Sequence, residues 1–149
     1  MNILEMCDAG GASVPMESTA EQAIRAMLEQ RVGAVAVVDE NRRVAGIFTE
    51  RDVLRRVALS GRSPEQIAVR EVMTTPVEMA TLDTTPGQAL ATMVERHYRH
   101  LPIVDDDGRL LGMLSIRNVL QARIELLTRQ LDEARATRTS RQEKPAGPV

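Results

Sequence analysis

The chain contains two copies of one pattern. Shifted against itself by 66 residues, Ser18–Leu54 aligns with Thr84–Leu120 without a gap, and twelve of the 37 pairs are identical. They include Thr19/Thr85, Gln22/Gln88, Ala23/Ala89, Met27/Met93, Val38/Val104, Asp39/Asp105, Gly46/Gly112 and Arg51/Arg117. Hydrophobic positions match almost throughout. A unit this small cannot bury its own apolar face, so the copies are expected to pack on each other.

Each copy follows the same order. Thr19 and Thr85 are candidate N-caps with Gln22 and Gln88 three residues on, the spacing of a capping box. Pro86 stands at the first helical position, where its missing N–H costs nothing. Ala23, Ile24, Met27 and Leu28, and then Ala89, Leu90, Met93 and Val94, recur with helical period. Apolar strands follow at 35–39 and 101–105, then turn residues, then second strands at 44–49 and 110–115. A helix starts directly after each second strand, over 50–60 with Gly61 as its C-cap, and from Ile116 onward. A short strand from Val77 precedes the second helix–strand unit, and the stretch around Gly10, Gly11 and Val14 is its poorer counterpart. The unit reads β-α-β-β-α, giving a mixed α/β (α+β) fold of two repeats packed as a pseudo-twofold pair with an extended C-terminal helix. The expected boundaries are repeat 1 at 3–61, a linker at 62–68, repeat 2 at 69–125, a helical extension at 126–136 and a flexible tail at 137–149.

Composition narrows what such a pair can bind. The chain has one Phe, one Tyr and no Trp, so a bound ring is expected to meet aliphatic walls and backbone rather than aromatic stacks. The net charge is −2, with acids and bases interleaved, which argues against a nucleic-acid surface. No apolar run reaches the ~18 residues of a membrane span. The start lacks a basic, then apolar, signal pattern. Cys7 is the sole cysteine, so no intrachain disulfide can form, and a soluble cytoplasmic protein is expected.

The motif Gly-Ile-Phe-Thr-Glu-Arg-Asp at 46–52, echoed by Gly-Met-Leu-Ser-Ile-Arg-Asn at 112–118, resembles the signature of cystathionine β-synthase (CBS) domains. Val-Met-Thr-Thr-Pro-Val at 72–77 and Arg-His-Leu-Pro-Ile-Val-Asp at 99–105 are similar to the same family. The resemblance covers about residues 3–125. It implies a tandem sensor pair that binds AMP, ADP, ATP, S-adenosylmethionine or an NAD-like ligand between the repeats, regulates another protein, and pairs with a second chain into a flat disc.

Physical chemistry supplies a rationale for the same residues. Thr49 and Ser115 sit where a strand becomes a helix, beside backbone N–H groups without helical partners. Arg51 and Arg117 fall in the same first turn and can fork onto phosphate. Asp52 and Asn118 lie three residues on, one helical face away, and can accept from ribose hydroxyls. By resemblance, Arg99 and His100 reach phosphate across the cleft, and Val14 and Val77 are candidate walls for the base. The competing reading makes Thr49 and Ser115 plain caps, with Asp52 and Asn118 as first-turn residues that favour the dipole.

Other features carry less. His97 and His100 are the only histidines and Cys7 is the only thiol, too few ligands in one place for a metal site to be expected. No nucleophile–base pair or carboxylate dyad suggests an enzyme. Leu120, Ile124, Leu127, Leu131 and Ala134 form one apolar stripe along the last helix, read as a homodimer contact in preference to internal packing. The functional alternative to a nucleotide sensor is a ligand-free dimeric scaffold that recruits a partner.

Overall fold

In chain order the elements are a 3₁₀ turn (Ile3–Met6), β1 (Ser13–Pro15), α1 (Ala20–Gln30), β2 (Ala34–Val38), β3 (Val44–Thr49), α2 (Glu50–Asp52), α3 (Val69–Val72), α4 (Pro86–Arg96), β4 (His100–Val104), β5 (Leu110–Ser115) and α5 (Ile116–Gln142). They come from a computed structural model that describes residues 2–7 and 11–142. The 66-residue offset governs their geometry. Both long-helix starts are closed by complete capping boxes. Gln22 N–H donates to Thr19 Oγ1 at 3.1 Å and Thr19 N–H to Gln22 Oε1 at 2.9 Å, and Thr85 and Gln88 do the same at 3.1 and 3.0 Å. Both helices end on a left-handed residue, Arg31 and His97. Both hairpins turn on an aspartate that accepts two backbone N–H groups, Asp39 from Asn41 and Arg43, and Asp105 from Asp107 and Arg109. Both also carry a register shift at one matched step, Val37/Val38 and Ile103/Val104.

The first sheet has the order β1-β2-β3, with β1 parallel and β3 antiparallel to β2. The second retains only β4 and β5. The strand expected from Val77 shrinks to a single parallel bridge at Ala80, whose N–H donates to Pro102 O at 2.8 Å while Val104 N–H donates to Ala80 O at 2.9 Å. The helix expected over 50–60 is also irregular: after α2 the chain makes one π turn at Val53–Val57. Gly61 takes the left-handed conformation expected of a helix stop, at φ 75°. The tail expected from residue 137 remains helical as far as Gln142, and residues 143–149 lie outside the described residues, as does Gly10.

Two backbone hydrogen bonds join the hairpins. Val44 N–H donates to Gly108 O and Leu110 N–H to Arg42 O, each at 3.1 Å. The donors are 66 residues apart, and so are the acceptors, which is the pseudo-twofold relation in its most local form. Ala36, Val38 and Leu110 make a small apolar core at this seam.

The two main cores do not follow the expected boundaries. The first gathers Phe48, Val35 and Val37 with Ile67, Val69 and Val72. Ile67 was expected in a polar linker, and Val69 and Val72 in repeat 2. The second gathers Leu101, Ile103, Leu114 and Val119 with Ile3, while Leu4, Met6 and Cys7 pack on its edge. Ile3 and Val69 are themselves 66 residues apart. Each repeat thus sends its leading turn into the core of the other. The exchange takes the apolar side chains of both turns out of water.

Candidate functional site

A cleft of about 440 Å³ opens between the repeats. Six of the expected site residues line it: Thr49, Arg51, Asp52, Val77, Arg99 and His100. The strand-to-helix junction of repeat 1 supplies one wall. The loop after α3, which includes the cis Thr75–Pro76 peptide, supplies a second, and the segment between α4 and β4 a third. Four expected residues are elsewhere. Ser115 and Asn118 do not line it, and Arg117 lines a separate groove with Leu28, Val32 and Leu54. Val14 is 6% exposed inside the first core. Its pairing shows why: Val14 registers with Val37 as Ala80 does with Ile103. The counterpart of Val14 is therefore Ala80, and the counterpart of Val77 is Gly11. Gly11 sits against the backbone of Gly112, where an added Cβ would stand 3.0 Å from Gly112 Cα.

At the junction, Asp52 is 5% exposed and heavily used. Its Oδ2 accepts from Thr49 N–H at 3.0 Å and Thr49 Oγ1 at 3.2 Å, and its Oδ1 accepts from Thr74 Oγ1 at 2.9 Å. Arg56 Nε stands 3.9 Å from Oδ1. Asn118 repeats only the capping half, accepting from Ser115 N–H at 3.3 Å and Ser115 Oγ at 2.6 Å. The cap reading of Thr49, Ser115, Asp52 and Asn118 therefore describes real bonds. It also alters the expected phosphate chemistry. Glu50 N–H donates to Gly33 O and Asp52 N–H to Thr49 Oγ1, while Ile116 and Asn118 bond in the matching way. With those amides engaged, the arginine side chains of the cleft are the remaining groups suited to meet an anion.

The arginines divide by engagement. Arg56 donates to Met73 O at 2.7 Å and Val72 O at 3.3 Å, holding the cleft loop on its helix. Arg51 reaches across the repeats to His97 O at 3.3 Å. Arg55 and Arg99 line the cleft and are exposed. Burial holds the His100 imidazole below its ordinary value, opposed by Glu50 and reinforced by Arg99. His100 is thus neutral near pH 7 and offers one donor and one acceptor. Among the described residues, no cluster of three or more His, Cys, Asp or Glu could hold a metal ion.

Sequence reasoning did not single out Thr74, Arg55, Arg56, Glu50 or Tyr98. Thr74 lies in the Val-Met-Thr-Thr-Pro-Val stretch, and Tyr98 directly precedes Arg99, so proximity to the motifs was the available signal. Tyr98 brings the chain's only phenol to the cleft, where composition predicts aliphatic walls and backbone groups more than aromatic rings.

Comparison with known proteins accords with this architecture. The family model described as "CBS domain" matches residues 12–59 and 69–125. An uncharacterized protein of Methanopyrus kandleri is 36% identical over 107 residues, covering 72% of this chain and 54% of that protein. This chain therefore spans about half the length of curated relatives of this kind. The crystal structure of a CBS-domain containing protein from Agrobacterium tumefaciens is 32% identical with a TM-score of 0.72, covering 81% of this chain and 90% of that one. A CBS domain protein from Pyrobaculum aerophilum, complexed with AMP, has a TM-score of 0.72 at 23% identity and covers 79% and 89%. At that identity the likeness concerns the fold. No helix among the described residues is long and apolar enough to cross a membrane.

Proposed function

Because the chain belongs to the CBS domain family, we propose that it is a non-catalytic regulatory module that takes an adenine nucleotide into its inter-repeat cleft and signals to a partner protein. The candidate ligands are AMP, ADP, ATP and an NAD-like dinucleotide. One observation carries the reading: a single cleft gathers Thr49, Arg51 and Asp52 from one repeat with Val77, Arg99 and His100 from the other. Its volume of about 440 Å³ falls within the roughly 300–1,000 Å³ of small-molecule sites. A ligand held by both repeats would bias their relative placement, which is what a sensor requires. A protein of the same fold holds AMP. The test is thermal unfolding of nucleotide-stripped protein titrated with each adenylate. A ligand at 100-fold above Kd should add about 2.7 kcal/mol, and quenching of Tyr98 fluorescence should saturate in parallel. No shift with any adenylate would refute the reading.

A homodimer is part of the same proposal. Leu28 and Val94, and Leu54 and Leu120, are exposed apolar pairs related by the 66-residue offset. Beyond them Ile124, Leu127 and Leu131 are 63%, 62% and 51% exposed. An apolar face with its own approximate twofold suits a second copy of itself. The variant Ile124→Arg/Leu127→Arg should halve the mass measured by light scattering while the monomer still unfolds in one cooperative transition, at a temperature lowered by loss of the partner. A mass unchanged by the two arginines would remove α5 from the interface. The exposed stripe also supports the scaffold reading, in which the dimer forms and no adenylate shifts stability.

A further inference from the structure

We infer that Glu50 sets the charge of the ligand this cleft accepts, favouring an adenine nucleotide with one phosphate over one with three. The inference rests on the nucleotide reading and adds selectivity to it. The charges that line the cleft are Arg51, Arg55, Arg56 and Arg99 against Glu50, Asp52 and Glu78. Most are already engaged. Arg56 holds Val72 O and Met73 O, Arg51 holds His97 O, Asp52 accepts from Thr49 and Thr74, and Glu78 pairs with Arg96 at 3.4 Å. Among the described residues, the side chains of Arg55, Arg99 and Glu50 have no hydrogen bond or ion pair. A carbonyl carries no charge, so Arg51, Arg55 and Arg99 all face the cleft as cations without a carboxylate partner, beside the one unpaired anion Glu50. Their net two positive charges match the two negative charges of a monophosphate. Each further phosphate adds negative charge beside Glu50 with no unpaired cation left to meet it.

The position of Glu50 fits this role. A Cβ built on Gly33 would stand 3.4 Å from Glu50 Oε1 and 3.4 Å from His100 Cε1, so the carboxylate and the imidazole flank one spot on the wall. The fold does not require an acid here. Glu50 N–H donates to Gly33 O at 3.1 Å, and its counterpart Ile116 makes the equivalent bond to Arg99 O at 2.8 Å. The backbone task is met by isoleucine in one repeat, which leaves the carboxylate of the other free to act on the ligand.

The test compares AMP and ATP binding to wild type, Glu50→Gln and Glu50→Ile, using the full chain stripped of nucleotide in magnesium-free, low-salt buffer. Wild type is expected to bind AMP more tightly than ATP. At about 7 Å in water, Coulomb repulsion weakens binding roughly threefold per added charge, so the two extra charges of ATP cost about eightfold. Both variants should narrow the AMP-to-ATP affinity ratio by about that factor, and raised salt should shrink the wild-type preference. Glu50→Ile guards against a hydrogen bond retained by glutamine. A wild-type preference for ATP, or a ratio that neither substitution moves, would overturn the inference while leaving the nucleotide site standing. Absence of binding by both nucleotides to wild type would instead overturn the site, and the inference with it.

Discussion

Replacing Asp52 separates what the junction does for stability from what it does for a ligand. In Asp52→Ala, the Thr49 N–H, the Thr49 hydroxyl and the Thr74 hydroxyl all lose their acceptor in a place that is 5% exposed. Hydrogen bonds to a charged group contribute about 1.5–3 kcal/mol each, and loss of a cap costs about 0.5–2 kcal/mol. These terms overlap, because Thr49 keeps the Asp52 N–H on its oxygen and a hydroxyl can turn. A net loss of about 3 kcal/mol is expected. Asp52→Asn should behave differently, because repeat 2 already shows Asn118 capping Ser115 at 2.6 and 3.3 Å. Asparagine keeps the cap, lets Thr74 accept from its amide, and loses mainly the ion pair to half-exposed Arg56 at 3.9 Å, worth up to about 1 kcal/mol. The expected loss is thus about 1 kcal/mol for Asn against about 3 for Ala. Urea unfolding followed by circular dichroism measures both, with the slope checked for constancy. In melting temperature the shifts are about 2–4 °C and 6–12 °C. The reasoning is refuted if the two variants are equally destabilised, or if the alanine variant lies within about 0.5 kcal/mol of wild type. Asp52→Asn is accordingly the variant in which loss of adenylate binding can be attributed to the site rather than to the fold.

Two further predictions concern neighbouring groups. Gly46→Ala would drive a Cβ into the Met73 side chain, which must swing aside, and to 3.1 Å from the Thr74 carbonyl, which must give by a few tenths of an ångström; a loss of about 1–3 kcal/mol in urea unfolding is expected. Gly112→Ala meets the flexible end of Leu4 instead and should cost less. His100 has its pKa lowered by burial, so the unfolded chain binds its proton more readily than the folded one. Its contribution to stability is therefore present above the unfolded value near 6.5 and is lost as pH falls. The stability gap between wild type and His100→Asn should shift against wild type from pH 7.5 to 5.5, read by thermal unfolding at each pH.

The parts of this fold that could be read from sequence are those fixed by local chemistry. Thr19 and Gln22 specify a helix start through bonds three residues apart, and Asp39 and Asp105 specify turns through bonds two and four residues apart. The repeat doubled each signal. The junction residues Thr49 and Asp52 and their partners across the cleft, Arg99 and His100, were reachable because the motifs carry them. Val14 and Val77 look alike as valines after a glycine or proline stretch, but the 66-residue offset carried upstream of Ser18 pairs Val14 with Ala80, as the register with Val37 and Ile103 shows; that match was within reach of the sequence. What could not be read depends on distant pairing. The bonds from Arg56 to Val72 and Met73, and from Thr74 to Asp52, link residues 16 to 22 apart that no periodicity couples. The exposure of α5 could not be read either, since an apolar stripe has the same spacing whether it is covered or open.

The crossing of Ile3 and Val69 into opposite cores bears on how the chain is made. At roughly 5–20 residues per second, the segment around Ile3 leaves the ribosome several seconds before Leu101, Leu114 and Val119, against which it finally rests. The first half, by contrast, can close as soon as Val72 emerges. Synthesis thus yields one finished half while an apolar turn waits in solution for a surface not yet translated. A ribosome stalled between the two halves would hold a folded body with one loose hydrophobic end, a species that chaperones are suited to recognise.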